Sequence, residues 1–237
     1  MATATTGTAP FPSGSAGVPP LEMGDHLTRA EFERRYDAMP DLKKAELIEG
    51  VVYIPSRAAA HYGQARILLA GWVGNYLVQT PELEAADNTT IRFDDLNEPQ
   101  PDVLLALQPV VGGRLHIDED GYYAGSPEFI AEIAASSVSY DLHAKLRVYQ
   151  REEVREYLVW RTRDGEIDWF RLDEGKYVPI VANEAGIVKS TVFPGLWLDR
   201  AALLRCDLMR VFAVLQEGLA SPEHASFVQS LRQKRAN

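Results

Sequence analysis

Cysteine is almost missing from this chain: Cys206 is the only one in 237 residues. A lone thiol excludes an intramolecular disulfide framework and any zinc centre built from several cysteines. Its ordinary role is that of a small hydrophobe, here near a helix start. Long apolar runs are also missing, and none approaches the ~20 residues that a membrane-spanning helix needs. The opening MATATTGTAPFPSGSAGVPP has neither the basic nor the apolar region of a signal peptide, so the expected location is cytoplasmic. Positive charge is scarce as well: 24 Lys and Arg against 34 Asp and Glu give a net charge of −10. A dedicated nucleic-acid binder usually carries the opposite balance or a basic stripe. Any contact with DNA must therefore be local or assisted by metal.

What is present suffices for one good-sized core, since 46% of the residues are apolar. Residues 1–24, rich in Thr, Ala, Gly, Ser and Pro, read as a disordered leader. Thr28 and Glu31 have the spacing of a capping box opening a helix to about Tyr36. Apolar segments Ala45–Ile48 and Val51–Pro55 flank a Glu49-Gly50 hairpin turn. A long helix is predicted from Ala58 to Val78, with His61, Ala65, Leu68 and Trp72 on one face. Strands are predicted at 84–93, 102–107, 114–117 and 127–135, then a helix from Val138 to about Glu153. Further strands follow at 156–162, 167–172 and 177–181. VFPGLWLDRAALL reads as a strand end running into a helix, and the tail as two helices broken at Ser221-Pro222. The pattern is that of one α/β domain over 25–205, with a helical C-terminal extension over 206–237.

Charge in the wrong places marks the candidate chemistry. Asp102 opens the run VLLAL, whose continuous apolar character indicates a central strand covered on both faces. Alone, Asp102 reads equally well as a turn residue at a strand edge. In PEFIAEIAA, alternation puts Glu132 on one face with Ile130 and Ala134, between aliphatic neighbours. Lys145 falls inside the apolar stripe of the following helix at about 100° per residue, near Asp141 and Tyr149. A lysine there either snorkels outward or meets a carboxylate. Glu46 in the hairpin offers a further carboxylate, and His61 reads either as a core histidine or as pointing into the same cleft. Buried charges are costly unless paired or metal-bound. Asp102, Glu132 and Glu46 suit Mg²⁺, which prefers carboxylate oxygen, with Mn²⁺ as a substitute. Lys145 would then orient a water or stabilise the transition state.

Asp102, Glu132 and Lys145 in that order resemble the signature of the PD-(D/E)XK restriction-endonuclease-like superfamily. The ordered blocks ELIEG, QPDVLL, EIAASSVSYDLHAKLRVYQREEVREYLVW and VFPGLWLD resemble, more specifically, the Uma-type family of restriction endonucleases over about residues 28–205. The resemblance implies an α/β (α+β) fold with a mixed central sheet flanked by helices. It also implies metal-binding acids at Asp102 and Glu132, an acid of the first block at Glu46 and a helix histidine at His61. The superfamily's lysine normally stands two residues after the glutamate. Position 134 is alanine here, and Lys145 matches the relocated lysine. Two features depart from the family pattern: EIAASS replaces E-V-x-S-P-S, and Trp160 stands where an aspartate often follows the last core strand. The reading is a Mg²⁺-dependent endonuclease acting on DNA, for which a homodimer would be natural. Two alternatives use the same residues: a catalytically silent binding or assembly module, and a metal-dependent phosphodiesterase on another substrate.

Overall fold

The computed structural model describes residues 17–55 and 60–236. Thr28 stands at the N-cap of α1 (Arg29–Asp37), but its side chain makes no capping hydrogen bond. Glu31 instead accepts from Arg34 Nε and Arg35 Nε, both at 2.7 Å. Charge-assisted guanidinium donors outcompete a backbone N–H, so the predicted capping box does not form. β1 (Glu46–Ile48) and β2 (Val51–Tyr53) make the expected hairpin. Glu49 and Gly50 take φ of 53° and 76°, the left-handed pair that a two-residue turn of matching twist requires. In α2 (Ala60–Gln79) the buried residues are Ala65, Leu69, Trp72, Val73 and Tyr76. His61, expected on the apolar face, is exposed. The buried stripe is rotated from the predicted one, and Ala58, the predicted helix start, lies outside the described residues.

The expected strand over 84–93 splits into β3 (Leu83–Asp87) and β4 (Ile91–Arg92), which belong to different sheets. Asn88, with φ of 50°, turns the chain between them. Then come β5 (Val103–Leu107), β6 (His116–Ile117), β7 (Tyr123–Ala124) and β8 (Phe129–Ala134). The next helical stretch joins α3 (Val138–Tyr140) and α4 (Leu146–Arg151) through a π-helical turn, Asp141–Lys145. β9 (Glu156–Arg161), β10 (Glu166–Asp173) and β11 (Lys176–Pro179) follow, then β12 (Ile187–Lys189), β13 (Trp197–Asp199), α5 (Arg200–Leu204), α6 (Leu208–Leu219) and α7 (Pro222–Ala236). Neither β7 nor β12 was foreseen, both being too short to carry a periodic signal. Cys206, read as a small hydrophobe near a helix start, stands two residues before α6 and is exposed.

The central sheet has six strands in the order β11-β10-β9-β8-β5-β3. All pairs are antiparallel except β8–β9, which the α3–α4 crossover makes parallel. One face packs Val103, Leu105, Phe129, Ala131 and Ile133 against Trp72 of α2, Val211 and Leu215 of α6, and Leu231 of α7. The C-terminal helices thus share the main core, and residue 205 is no packing boundary. The other face packs Leu104, Ala106, Ile130 and Ala134 against Val148 and Tyr149 of α4. A third cluster seals the hairpin and includes Leu21, so one residue of the expected leader is packed, while residues 1–16 of that leader lie outside the described residues. Among the described residues, no helix is long and apolar enough to cross a membrane.

Candidate active site

Alternation along β8 sends Glu132 to the α4 face of the sheet, in line with Ile130 and Ala134. The register Val103↔Ala131 extends one step outward to bring Asp102 opposite Glu132 on that face. Asp102 Oδ2 accepts the Ile133 N–H at 2.8 Å. Its Oδ1 accepts from the Tyr62 hydroxyl and lies 3.7 Å from Lys44 Nζ. Lys145 comes down on the same face from the end of the π-helical turn. Its Nζ is 2.8 Å from both Glu132 Oε1 and Glu46 Oε1, and 3.8 Å from Asp141 Oδ1. The ammonium also lies 5.0 Å from the centroid of the Tyr140 ring, a cation–π contact.

Neutral donors complete the network. Tyr149 donates its hydroxyl proton to Glu132 Oε1 at 2.8 Å, and Tyr140 donates to Glu46 Oε2 at 3.2 Å. The Gln100 N–H reaches Glu46 Oε1 at 2.7 Å, and Ser137 Oγ donates to Asp141 Oδ2 at 2.6 Å. Glu46, Asp102, Glu132, Asp141 and Lys145 are each no more than 3% exposed. The structure therefore brings together Glu46, Asp102, Glu132, Asp141, Lys145 and Tyr149, and leaves His61 out. Lys44, Tyr62 and Tyr140 were missed by sequence reasoning. Lys44 shares a strand face with Glu46 by alternation, and Tyr62 is one position beyond the histidine that was chosen. The Lys44 signal was there to be read.

Charge in this cluster does not balance: four carboxylates face two ammonium groups, Lys44 and Lys145. Burial pushes the Glu132 carboxyl up to about 8; Lys145 opposes this, while Asp102, Asp141 and Glu46 add to it. Burial likewise lifts Asp141 to about 6. For Glu46 burial acts upward too, but Lys145 and Lys44 together outweigh it and hold the carboxyl below its usual range. Burial works against the Lys145 charge, yet Glu132, Glu46 and Asp141 keep the ammonium protonated well beyond the ordinary lysine range.

Hard carboxylate oxygens carrying surplus negative charge are the donor set that a divalent cation such as Mg²⁺ takes. By chemistry and charge, Asp102, Glu132 and Glu46 fit one. Among the described residues no three His, Cys, Asp or Glu side chains are arranged around a single cation. The Lys145 ammonium fills the place between Glu46 and Glu132. Beside the cluster, a cavity of ≈340 Å³ is lined by Tyr140 together with Tyr53, Ser136 and Arg147. Tyr53 stacks on Tyr140 at 4.0 Å between centroids, so the stacked pair stands between the ammonium and that opening.

The sequence model of the Uma2 family, described as "Putative restriction endonuclease", matches residues 29–201. The chain belongs to the Uma2 family. Among solved structures, a protein from Anabaena variabilis ATCC 29413, described as a putative nuclease belonging to DUF820, shares its fold with a TM-score of 0.51. The two are 12% identical, and the match covers 72% of this chain and 97% of that one. No curated protein matches the sequence. The mixed sheet flanked by helices is thus common to this Uma2 protein and to the Anabaena structure. The relocation of the lysine, implied by resemblance, has a physical counterpart here. Position 134 is alanine, facing the second core, and the ammonium reaches Glu132 from the neighbouring helix.

Proposed function

We propose that this Uma2 protein is a Mg²⁺-dependent endonuclease that hydrolyses phosphodiester bonds of DNA in the cytoplasm. The observation that carries the reading is the Lys145 ammonium held 2.8 Å from two carboxylates, with Asp102 on the same sheet face and more acid than base around it. Packing alone gives no reason to gather four acids beneath a helix, because each costs several kcal/mol to desolvate. A site for a divalent cation and a phosphate does.

In this reading Asp102, Glu132 and Glu46 would hold the metal. The bound ion supplies neutralisation of phosphate charge and a water of lowered pKa. Lys145, held 2.8 Å from Glu46 and Glu132, would stabilise the negative charge that grows on the phosphate oxygens. Tyr149 and Tyr140 fix the carboxylates that face Lys145, and Tyr62 fixes Asp102. An ion held there would compete with the proton that burial keeps on Glu132, so uptake should strengthen as the pH rises through about 8. Mn²⁺ substitutes for Mg²⁺, and a homodimer provides two such centres for the two strands.

Calorimetric titration with Mg²⁺ and Mn²⁺, followed by cleavage of plasmid and oligonucleotide DNA, tests this. The expected result is millimolar uptake that Asp102→Ala abolishes, and cleavage that Lys145→Ala lowers by about two to three orders of magnitude. No metal uptake by the unaltered protein would refute the catalytic reading. The near-complete burial of the cluster would then favour a silent assembly module. Metal uptake without DNA cleavage would instead direct the search to smaller phosphodiesters, which need no basic face on a chain of net charge −10.

A further inference from the structure

A second cavity, of ≈680 Å³, is walled by α1 on one side and by Arg92, Glu98, Asp120 and Tyr122 on the other. Glu98 lines it while only 5% exposed, and its Oε2 is buried without a hydrogen-bond partner among the described residues. Arg92 Nε lies 2.9 Å from Glu33 Oε1, yet neither atom has hydrogen-bond geometry to any partner. Arg92 Nη1 donates to Asp118 Oδ2 at 2.8 Å and to Asp120 Oδ2 at 2.6 Å. Its guanidinium sits 4.3 Å from the centroid of the Tyr122 ring. Four carboxylates (Glu33, Glu98, Asp118 and Asp120) therefore share two guanidinium groups, Arg92 and Arg29. Burial, and then Glu33 beside it, lift the Glu98 carboxyl to about 8. A buried oxygen left unpaired costs about 1–3 kcal/mol, which a donor entering the cavity would recover.

Arg92 already holds Asp118 and Asp120, which leaves Glu98 Oε2 as the unpartnered acceptor for an entering cation. The walls suit an organic cation. The rings of Tyr36 and Tyr122 both line the space. The Tyr36 hydroxyl accepts the Ala45 N–H at 3.2 Å, which fixes the ring at the wall of the cavity. We propose that this cavity binds a small aliphatic amine in its protonated form, the ammonium donating to Glu98 and Glu33 and the carbon chain lying along the Tyr36 and Tyr122 rings. Aromatic faces attract cations as well as covering methylene groups, so both parts of such a ligand find a partner. The site shares no residue with the Lys145 cluster and stands independently of the nuclease reading.

Titration of the full chain with 1,4-diaminobutane at fixed ionic strength, followed by calorimetry, tests the assignment. The unaltered protein should show saturable one-site uptake, and the uncharged 1,4-butanediol should show none. At about pH 9, where Glu98 is ionised and the amine is still protonated, Glu98→Gln keeps the shape, removes the carboxylate and should weaken binding at least about tenfold, a loss of ~1.4 kcal/mol. Asp120→Ala removes a side chain that is 64% exposed, so the fold survives, and it should weaken binding measurably. Glu132→Gln, in the other cluster, should leave the affinity unchanged. No saturable uptake by the unaltered protein would overturn the proposal. So would equal affinity in Glu98→Gln and Asp120→Ala, because diffuse attraction to a chain of net charge −10 would then account for the heat. Should Glu98→Gln fail to fold, Asp120→Ala decides the matter alone.

Discussion

Lys145 is the single side chain whose removal leaves the most behind. Without it, Glu46 and Glu132 would face each other in a site no more than 3% exposed. Breaking a buried pair by deleting one partner costs about 3–5 kcal/mol. Urea unfolding of Lys145→Ala in chelator should register a loss of that order, and added Mg²⁺ or Mn²⁺ should return part of it. Glu132 gives a pH signature. Its carboxyl titrates near 8 in the folded chain and near the ordinary glutamate value when unfolded. The native state thus binds the extra proton between those values, and stability must fall as the pH rises through that window. Glu98 adds to the same slope. Denaturation midpoints at about pH 7 and 8.5 should therefore decline, and Glu132→Gln should flatten the decline. Much of this was legible residue by residue: Glu132 stood out because alternation put it among aliphatics. Tyr62 did not, because a tyrosine one step from an apolar stripe is an ordinary boundary residue until Asp102 is seen beneath it.

At the scale of elements, β5, β8 and β9 were the most legible, because strands buried on both faces leave continuous apolar runs. The segment 84–93 was misread because its composition suits a strand throughout. Only the left-handed backbone at Asn88, a conformation and not a composition, divides it. Glu156, at the start of β9, ties that strand to the loop before β13. It accepts from Thr191 N at 2.6 Å, Thr191 Oγ1 at 2.8 Å, Ser190 Oγ at 2.9 Å and Trp169 Nε1 at 3.2 Å. Glu156→Ala would orphan the buried Trp169 Nε1–H at about 1–3 kcal/mol and release the part-buried donors of Ser190 and Thr191. Hydrogen exchange should show the amides of 190–193 losing protection before those of β8. Unchanged exchange there would mean that the loop is held by Phe193 packing instead.

Across the whole molecule, the helices after residue 205 belong to the body of the fold. Leu215 and Leu231 lie in the main core, and Thr80 of the chain just beyond α2 meets His224 of α7 at 3.0 Å. Sequence patterning found both helices but could not show what they cover, since an amphipathic stripe carries no address. Ending the chain after Leu219 should cost several kcal/mol, because burying one such leucine alone is worth ~2 kcal/mol. The truncated protein should melt well below the full chain instead of retaining an intact 25–205 unit. Charge is also a property of the whole. With ten more acids than bases, any DNA contact rests on few phosphates, so affinity should vary only weakly with salt, with a slope far shallower than about −6 to −10.

The π-helical turn Asp141–Lys145 has a consequence for how the cluster can be lost. A π turn is an α-helix carrying one surplus residue, a local misfit that persists where something else compensates. Deleting the exposed His143 would relieve the misfit and swing everything upstream by about 100° relative to everything downstream. Asp141, Ser137 and the Tyr140 cover would part company with Lys145, although no charged partner had been touched. The arrangement is thus kept by a count as much as by chemistry. A single-codon deletion could silence it while leaving a straighter and more regular helix behind.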